Sequence, residues 1–389
     1  MKQSLMLLAC LLCCCVVPVH AQPERLTLKS QVLNEERIAL VRTPPGYATN
    51  QQRYPVLYMT DGQAQLAHTI STIEFLVREG KMPDLIVVAI GNTDRTRDLT
   101  PTRSRMRRAD NGEWINLPAS GGADNFLRFI ETELIPHIEK QYRTQPYRLF
   151  AGHSFGGLFA LHTFLSRPAL FNSVIAVSPT MQWDEHYVSR RAEMFFKEKR
   201  ELSRTLIVTL AQESAETEAG FDRFKTIFAK HAPKQLTWDM SLMKDEDHGS
   251  VVLRSHYHGL RRTFSDWQMP GAQVTGLPAV EAHYRKLSDK YGYAIQPSEA
   301  LVNTLGYQLF GAGKQDEALA AFGQNVVWYP QSANVYDSLA EAYEKSGKLA
   351  LAQPLYEKAA QLGAQNNDPN ARVFRENYER VSEALKKGR

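Results

Sequence analysis

The residues best placed to do chemistry are Ser154, His248 and a carboxylate among Glu213 and its neighbours. Ser154 stands in RLFAGHSFGGLFAL (148–161), inside the pentapeptide Gly-His-Ser-Phe-Gly. A serine hydroxyl is a poor nucleophile until a base takes its proton. A sharp strand-to-helix turn would present it, and Gly152 and Gly156 leave room for such a turn. The following helix would then point its N-terminus at developing negative charge. The Phe155 N–H is the natural first oxyanion donor. A second donor is expected after an early strand, and in PVLYMTDGQAQ (55–65) the residue following Asp61-Gly62 is Gln63.

His248 is the expected base. It follows an apparent strand in TWDMSLMKDEDHGSVV, inside an acidic loop and downstream of the serine, as the order serine, acid, histidine requires. His153 adjoins the serine but should turn its ring away, and His256 and His258 read as packed or solvated helix residues. The acid belongs at a strand end between Ser154 and His248. TLIVTLAQESAETEAGFDRF (205–224) offers Glu213 first and Glu216 as the alternative, with Asp184, Asp222 or an unassisted Ser–His pair still open. Its task is to orient the imidazole and stabilise the imidazolium. Arg95 and Arg97, in IGNTDRTRDLTPTRSR (90–105), are expected either to recognise an anionic substrate or to pair within their loop. Trp183, in SPTMQWDE, is expected to wall the substrate pocket or to cap the core.

The elements around these residues must position them. Apolar runs at 55–59, 85–90, 147–152, 173–179 and 205–211 are nearly continuous, as strands buried on both faces should be. Between them lie helical patterns at 123–142 and 156–168. This alternation predicts a mostly parallel sheet covered by helices. Residues 25–47 read as two antiparallel edge strands. After Trp267 the character changes: QMPGAQVTGLPAV (268–280) reads as a linker. Beyond it the chain is helical and repeats at a spacing of 34, with Gly313-Lys314 matched by Gly347-Lys348, Ala318 by Ala352 and Phe322 by Tyr356. That is the tetratricopeptide period, placing repeats at 299–332 and 333–366 and a capping helix at 370–387.

Composition narrows the class. The chain has 389 residues, 43% hydrophobic and 23% charged, with a formal net charge of +4. No basic run carries interleaved aromatics, which argues against nucleic acid. No apolar stretch after residue 21 is long enough for a membrane helix. Residues 1–21 read as a secretory signal peptide, with lipid attachment at Cys10 as the alternative, so a periplasmic or secreted location is expected. All four cysteines lie in that segment, which leaves the remainder without disulfides or thiolates. His256-Tyr257-His258 has no ligand partners at metal spacing, and no glycine-rich phosphate loop is present. Neither metal nor cofactor is expected.

YPVLYMTDGQ, TDRTRDLTP, GHSFGGLFAL, SPTMQW and DEDHGSV occur in this order. Together they resemble the esterase D/enterochelin esterase-like family of α/β-hydrolases over about residues 30–267. The resemblance implies an α/β-hydrolase fold and cofactor-free serine hydrolysis of carboxylic esters. Ser154 would be the nucleophile and His248 the base, with Phe155 and the residue after Asp61-Gly62 forming the oxyanion hole. The family's acid lies in a Gly-x-x-Glu type stretch, and here AQESAE has alanine at the glycine position, which leaves Glu213 against Glu216 open. Members include siderophore trilactone esterases, S-formylglutathione hydrolases, feruloyl esterases and mycolyltransferases. The expected layout is a signal peptide (1–21), an α/β-hydrolase esterase domain (22–267), a linker and docking segment (268–298) and an all-α tetratricopeptide-like region (299–389). The expected activity is that of an exported serine esterase acting on a small-molecule ester. Acyl transfer with the same residues, or a non-catalytic scaffold binding a protein partner or a second copy through the helical region, are the alternatives.

Overall fold

The computed structural model describes residues 22–48, 50–107, 113–198 and 201–387. The expected signal peptide and Cys10 lie outside the described residues. The chain divides into two compact units. One holds the residues up to Phe75 together with Pro83–Thr263, and the other holds Leu76–Met82 with Phe264–Arg389.

The first unit is built on an eight-stranded sheet. Its strands are β1 (Glu24–Ser30), β2 (Glu35–Arg42), β3 (Tyr54–Met59), β4 (Ile86–Ile90), β7 (Thr144–His153), β8 (Ser173–Val177), β9 (Thr205–Ala211) and β10 (Thr237–Met243); β5 (Ser104–Arg107) and β6 (Trp114–Leu117) form a separate hairpin. The order is β1-β2-β4-β3-β7-β8-β9-β10. β1 runs antiparallel to β2 and β2 antiparallel to β4, while every other neighbour is parallel. Only β1 of the first pair is an edge strand, since β2 is enclosed between β1 and β4. β3, β4, β8 and β9 are buried at every residue. That burial is why they read as unbroken apolar runs.

Because the central strands are parallel, their C-terminal ends open on one edge. The register levels those ends: Met59 pairs with Ala151, His153 with Val177, Val177 with Thr209, and Ala211 with Met243. Four of the loops that leave those ends bear on the site. They lead into α1 (Gly62–Arg78), α5 (Phe155–Ser166), α7 (Ala215–His231) and α8 (Val251–Thr263). Ligand sites in such sheets form at this edge. α5 packs deepest, with every residue from Gly156 to Leu165 buried. Phe150 packs on its Phe159 and on Phe171 in the core.

The second unit contains α9 (Leu277–Tyr291), α10 (Glu299–Gly311), α11 (Gln315–Trp328), α12 (Ala333–Lys345), α13 (Leu349–Gln365) and α14 (Ala371–Lys387). α9 begins inside the stretch read as a linker. Pro278 lies in its first turn, where a missing N–H is harmless, so that proline starts a helix instead of breaking one. The sequence spacing of 34 recurs in the backbone. Gly313 and Gly347 both take left-handed φ, +77° and +73°. Lys314 and Lys348 each return an N–H to the preceding helix, at Leu309 and Tyr343.

Candidate active site

Ser154 is the hinge of the β7–α5 turn. Its φ is +61° and ψ −117°, a conformation costly for a residue with a Cβ. The turn is held by the Ser154 N–H bonding the Val177 carbonyl at 2.9 Å. Two close approaches explain the flanking glycines. A Cβ on Gly152 would lie 2.2 Å from the Gly156 carbonyl oxygen, and one on Gly156 would lie 2.3 Å from Thr60 Oγ1. Although Ser154 is the N-cap, its side chain makes no capping bond.

Glu213 and His248 come together from adjacent loops, one after β9 and one after β10. His248 Nδ1 donates to Glu213 Oε1 at 2.6 Å. That bond places the remaining lone pair on Nε2. The Glu213 side chain is 15% exposed and that of His248 49%. Parallel pairing of β9 and β10 brings the two loops side by side, and the Gln212 N–H bonds the Glu246 carbonyl across them. The acidic loop has a structural reason. Asp247 Oδ1 accepts from the Gly249 and Ser250 backbones, both at 2.8 Å, which folds the turn into α8. These bonds hold the Asp247 carboxyl below its usual range. Glu216 takes another place, exposed in the first turn of α7 beyond the Ser214 cap.

His153 joins nucleophile turn and histidine loop. Its Nε2 donates to the His248 carbonyl at 2.7 Å, and the two rings lie 4.6 Å apart. Burial, with the neighbouring His248 next in weight, pushes His153 down to about 4. It is therefore neutral at pH 7. His256 is buried as well and bonds Thr69 Oγ1, while His258 bonds Asp239.

Phe155 and Gln63 are the first residue of α5 and the second of α1. Amides in these positions have no intrahelical acceptor, so both N–H groups can serve an oxyanion. The turn ahead of Gln63 passes through buried Asp61 at φ +57°.

Arg95, Arg97 and Trp183, each read either as a substrate contact or as a structural residue, have structural partners. Arg97 is committed to structural partners, bonding both Glu35 carboxylate oxygens on β2 and Asp98 Oδ1 in its own loop. Arg95 bonds the Asp61 carboxylate and the His153 carbonyl. Trp183 is 2% exposed, a core position and not a pocket surface. It stands edge-on to Phe155, and its Nε1 donates to Thr102 Oγ1. Sequence reasoning passed over the Asp61 carboxylate, Asn92 and the His153 ring as working parts. The signal was their position at three strand ends, Asp61 directly before Gly62, His153 directly before Ser154, and Asn92 just after β4.

Residues 30–272 match the family model Esterase, described as "Putative esterase". The ferri-bacillibactin esterase BesA of Bacillus subtilis is 30% identical over 186 residues, 43% of this chain and 61% of that protein. The siderophore enterobactin esterase of Emericella nidulans is 33% identical over 154 residues, 36% of this chain and 50% of that protein. The chain thus spans between half and two thirds of these curated relatives. Among solved structures, an IroE-like serine hydrolase from Shewanella oneidensis superposes with TM-score 0.67 at 29% identity, covering 79% of this chain and all of the other. A protein from Capnocytophaga ochracea shares the fold over 93% of this chain and all of its own, at TM-score 0.66 and 18% identity.

Proposed function

Since the chain belongs to the esterase family, we propose that it is a serine carboxylic-ester hydrolase using Ser154, His248 and Glu213. One observation carries the reading. A serine strained onto the exit of a parallel strand shares its sheet edge with a histidine whose Nδ1 is fixed on a carboxylate at 2.6 Å. The steps follow from that arrangement. Ser154 Oγ attacks the ester carbonyl carbon as His248 Nε2 takes the hydroxyl proton. The C=O electron pair moves to oxygen, and the oxyanion accepts from the Phe155 and Gln63 N–H groups. Glu213 stabilises the imidazolium without itself being protonated. The tetrahedral intermediate re-forms the C=O, and the alcohol departs with the proton from His248. Water repeats the sequence on the acyl-enzyme, releasing the acid and free Ser154.

The relatives named as siderophore esterases support an ester of that class as substrate. A catecholate trilactone, a feruloyl ester and p-nitrophenyl esters of increasing chain length, assayed side by side, test this. Preferential opening of the trilactone is expected. Activity on the simple esters with none on the trilactone would remove the siderophore reading and leave the esterase one. Residues 1–21 support export, which cell fractionation checks. We read the 34-residue spacing as two tetratricopeptide-type repeats followed by a capping helix, and as a surface for a partner.

A further inference from the structure

Among the described residues, the Arg95 side chain makes three part-buried hydrogen bonds. Its Nε donates to Asp61 Oδ1 at 2.7 Å and its Nη2 to Asp61 Oδ2 at 3.2 Å. The same Nη2 donates to the His153 carbonyl at 3.1 Å. Asn92 Nδ2 also donates to Asp61 Oδ1, at 2.7 Å. The guanidinium carbon stands 5.5 Å from the centre of the Phe155 ring. Asp61 lies two residues before Gln63, and His153 two residues before Phe155. One side chain therefore links the two loops that carry both proposed oxyanion donors.

We infer that Arg95 is a positioning residue that fixes the spacing of the oxyanion hole by clamping the Asp61 turn to the Ser154 turn, and that it does not recognise substrate. This rests on the serine-esterase reading above. An oxyanion donor works only within a few tenths of an ångström of its ideal distance, and here two donors from separate loops must meet one atom. The left-handed backbone at Asp61 is strained, so its loop needs an external hold. Finally, Arg95 offsets the charge of a buried carboxylate close to where an oxyanion would form. Without it, Asp61 would repel that oxyanion. The planar fork makes the two-oxygen grip and the carbonyl bond together, which a lysine ammonium cannot reproduce.

The test is steady-state kinetics of the full chain on a neutral and an anionic ester of the same alcohol, for wild type, Arg95→Lys, Arg95→Ala and Asp61→Asn. Circular dichroism and melting accompany each variant. If Arg95→Ala fails to fold, Arg95→Lys and Asp61→Asn, which preserve bulk and the left-handed turn, decide the matter. The clamp predicts a loss of about ten- to a hundredfold in kcat for both esters, with KM within about twofold. The double variant Arg95→Lys/Asp61→Asn should lose no more than the worse single variant, because both break one linkage. Unchanged kcat on the neutral ester with a raised KM for the anionic one would overturn the inference and make Arg95 a recognition residue. A fluorophosphonate probe separates the two readings. A wild-type protein that neither labels nor hydrolyses either ester overturns the esterase reading and the clamp with it. A wild type that labels, with variants kinetically unchanged, overturns the clamp alone.

Discussion

Replacing Glu213 by glutamine should cost the enzyme about 10²–10³ in kcat, while replacing Glu216 in the same way should cost less than twofold. The contrast comes from position. Glu213 Oε1 is 2.6 Å from His248 Nδ1, whereas Glu216 is exposed on α7. Glutamine preserves the shape of Glu213 but withdraws its charge, and its amide can offer a donor to Nδ1. That would favour the tautomer with hydrogen on Nε2, which cannot accept the serine proton. It also removes a carboxylate in contact with the imidazolium that forms in the transition state. In a fully buried triad this substitution costs about 10⁴. Here the His248 ring is 49% exposed, so water screens part of the effect. A loss of about 3–4 kcal/mol of transition-state stabilisation results, at 1.36 kcal/mol per decade. Initial rates on p-nitrophenyl acetate at pH 7.5 are the assay, with KM reported beside kcat. An active Glu213→Gln, or a Glu216→Gln that loses a hundredfold, would refute the assignment.

Acid should destabilise the first unit before carboxylates begin to titrate. Burial pushes His256 down to about 3 and lowers His153 and His68 in the same direction. Since these folded values lie below the unfolded one, the unfolded chain binds more protons as pH falls through 6.5, and stability present above that pH is lost. His256 alone should cost about 2 kcal/mol by pH 5. Urea midpoints at pH 7.5 and 5.0 measure this, and His256→Asn should flatten the slope; equal slopes would contradict it. Gly156→Ala should destabilise the fold or distort the Ser154 turn, because its Cβ would sit 2.3 Å from Thr60 Oγ1 and 3.2 Å from Asp61 Oδ2. A variant with wild-type melting and wild-type kcat would show that the turn has more room than the structure gives it.

The sheet was legible in the sequence because its central strands are buried on both faces, leaving short apolar runs that alternate with longer amphipathic segments. The partner order was less so. Nothing in residues 35–42 announces that β2 sits inside the sheet between β1 and β4. At the site, Ser154 and His248 stood out because glycines and an acidic turn are local signals. Glu213 and Glu216 could not be separated, since the choice depends on where α7 begins, and that is set by the Ser214 cap accepting from the Thr217 N–H. Arg95 and Arg97 look alike in sequence. What separates them, Asp61 and His153 for Arg95 and Glu35 for Arg97, is distant in the chain and meets them only in the fold. Trp183 was equally ambiguous, because pocket walls and core positions draw on the same residue type.

The central claim is that Ser154 is the attacking atom. Intact-mass measurement after treatment with a fluorophosphonate, followed by peptide mapping, tests it directly. The account predicts a single adduct on Ser154, with loss of esterase activity in step with labelling, and no adduct on a folded Ser154→Ala variant. An unlabelled wild type, or a Ser154→Ala protein that labels and hydrolyses as well as wild type, would contradict it.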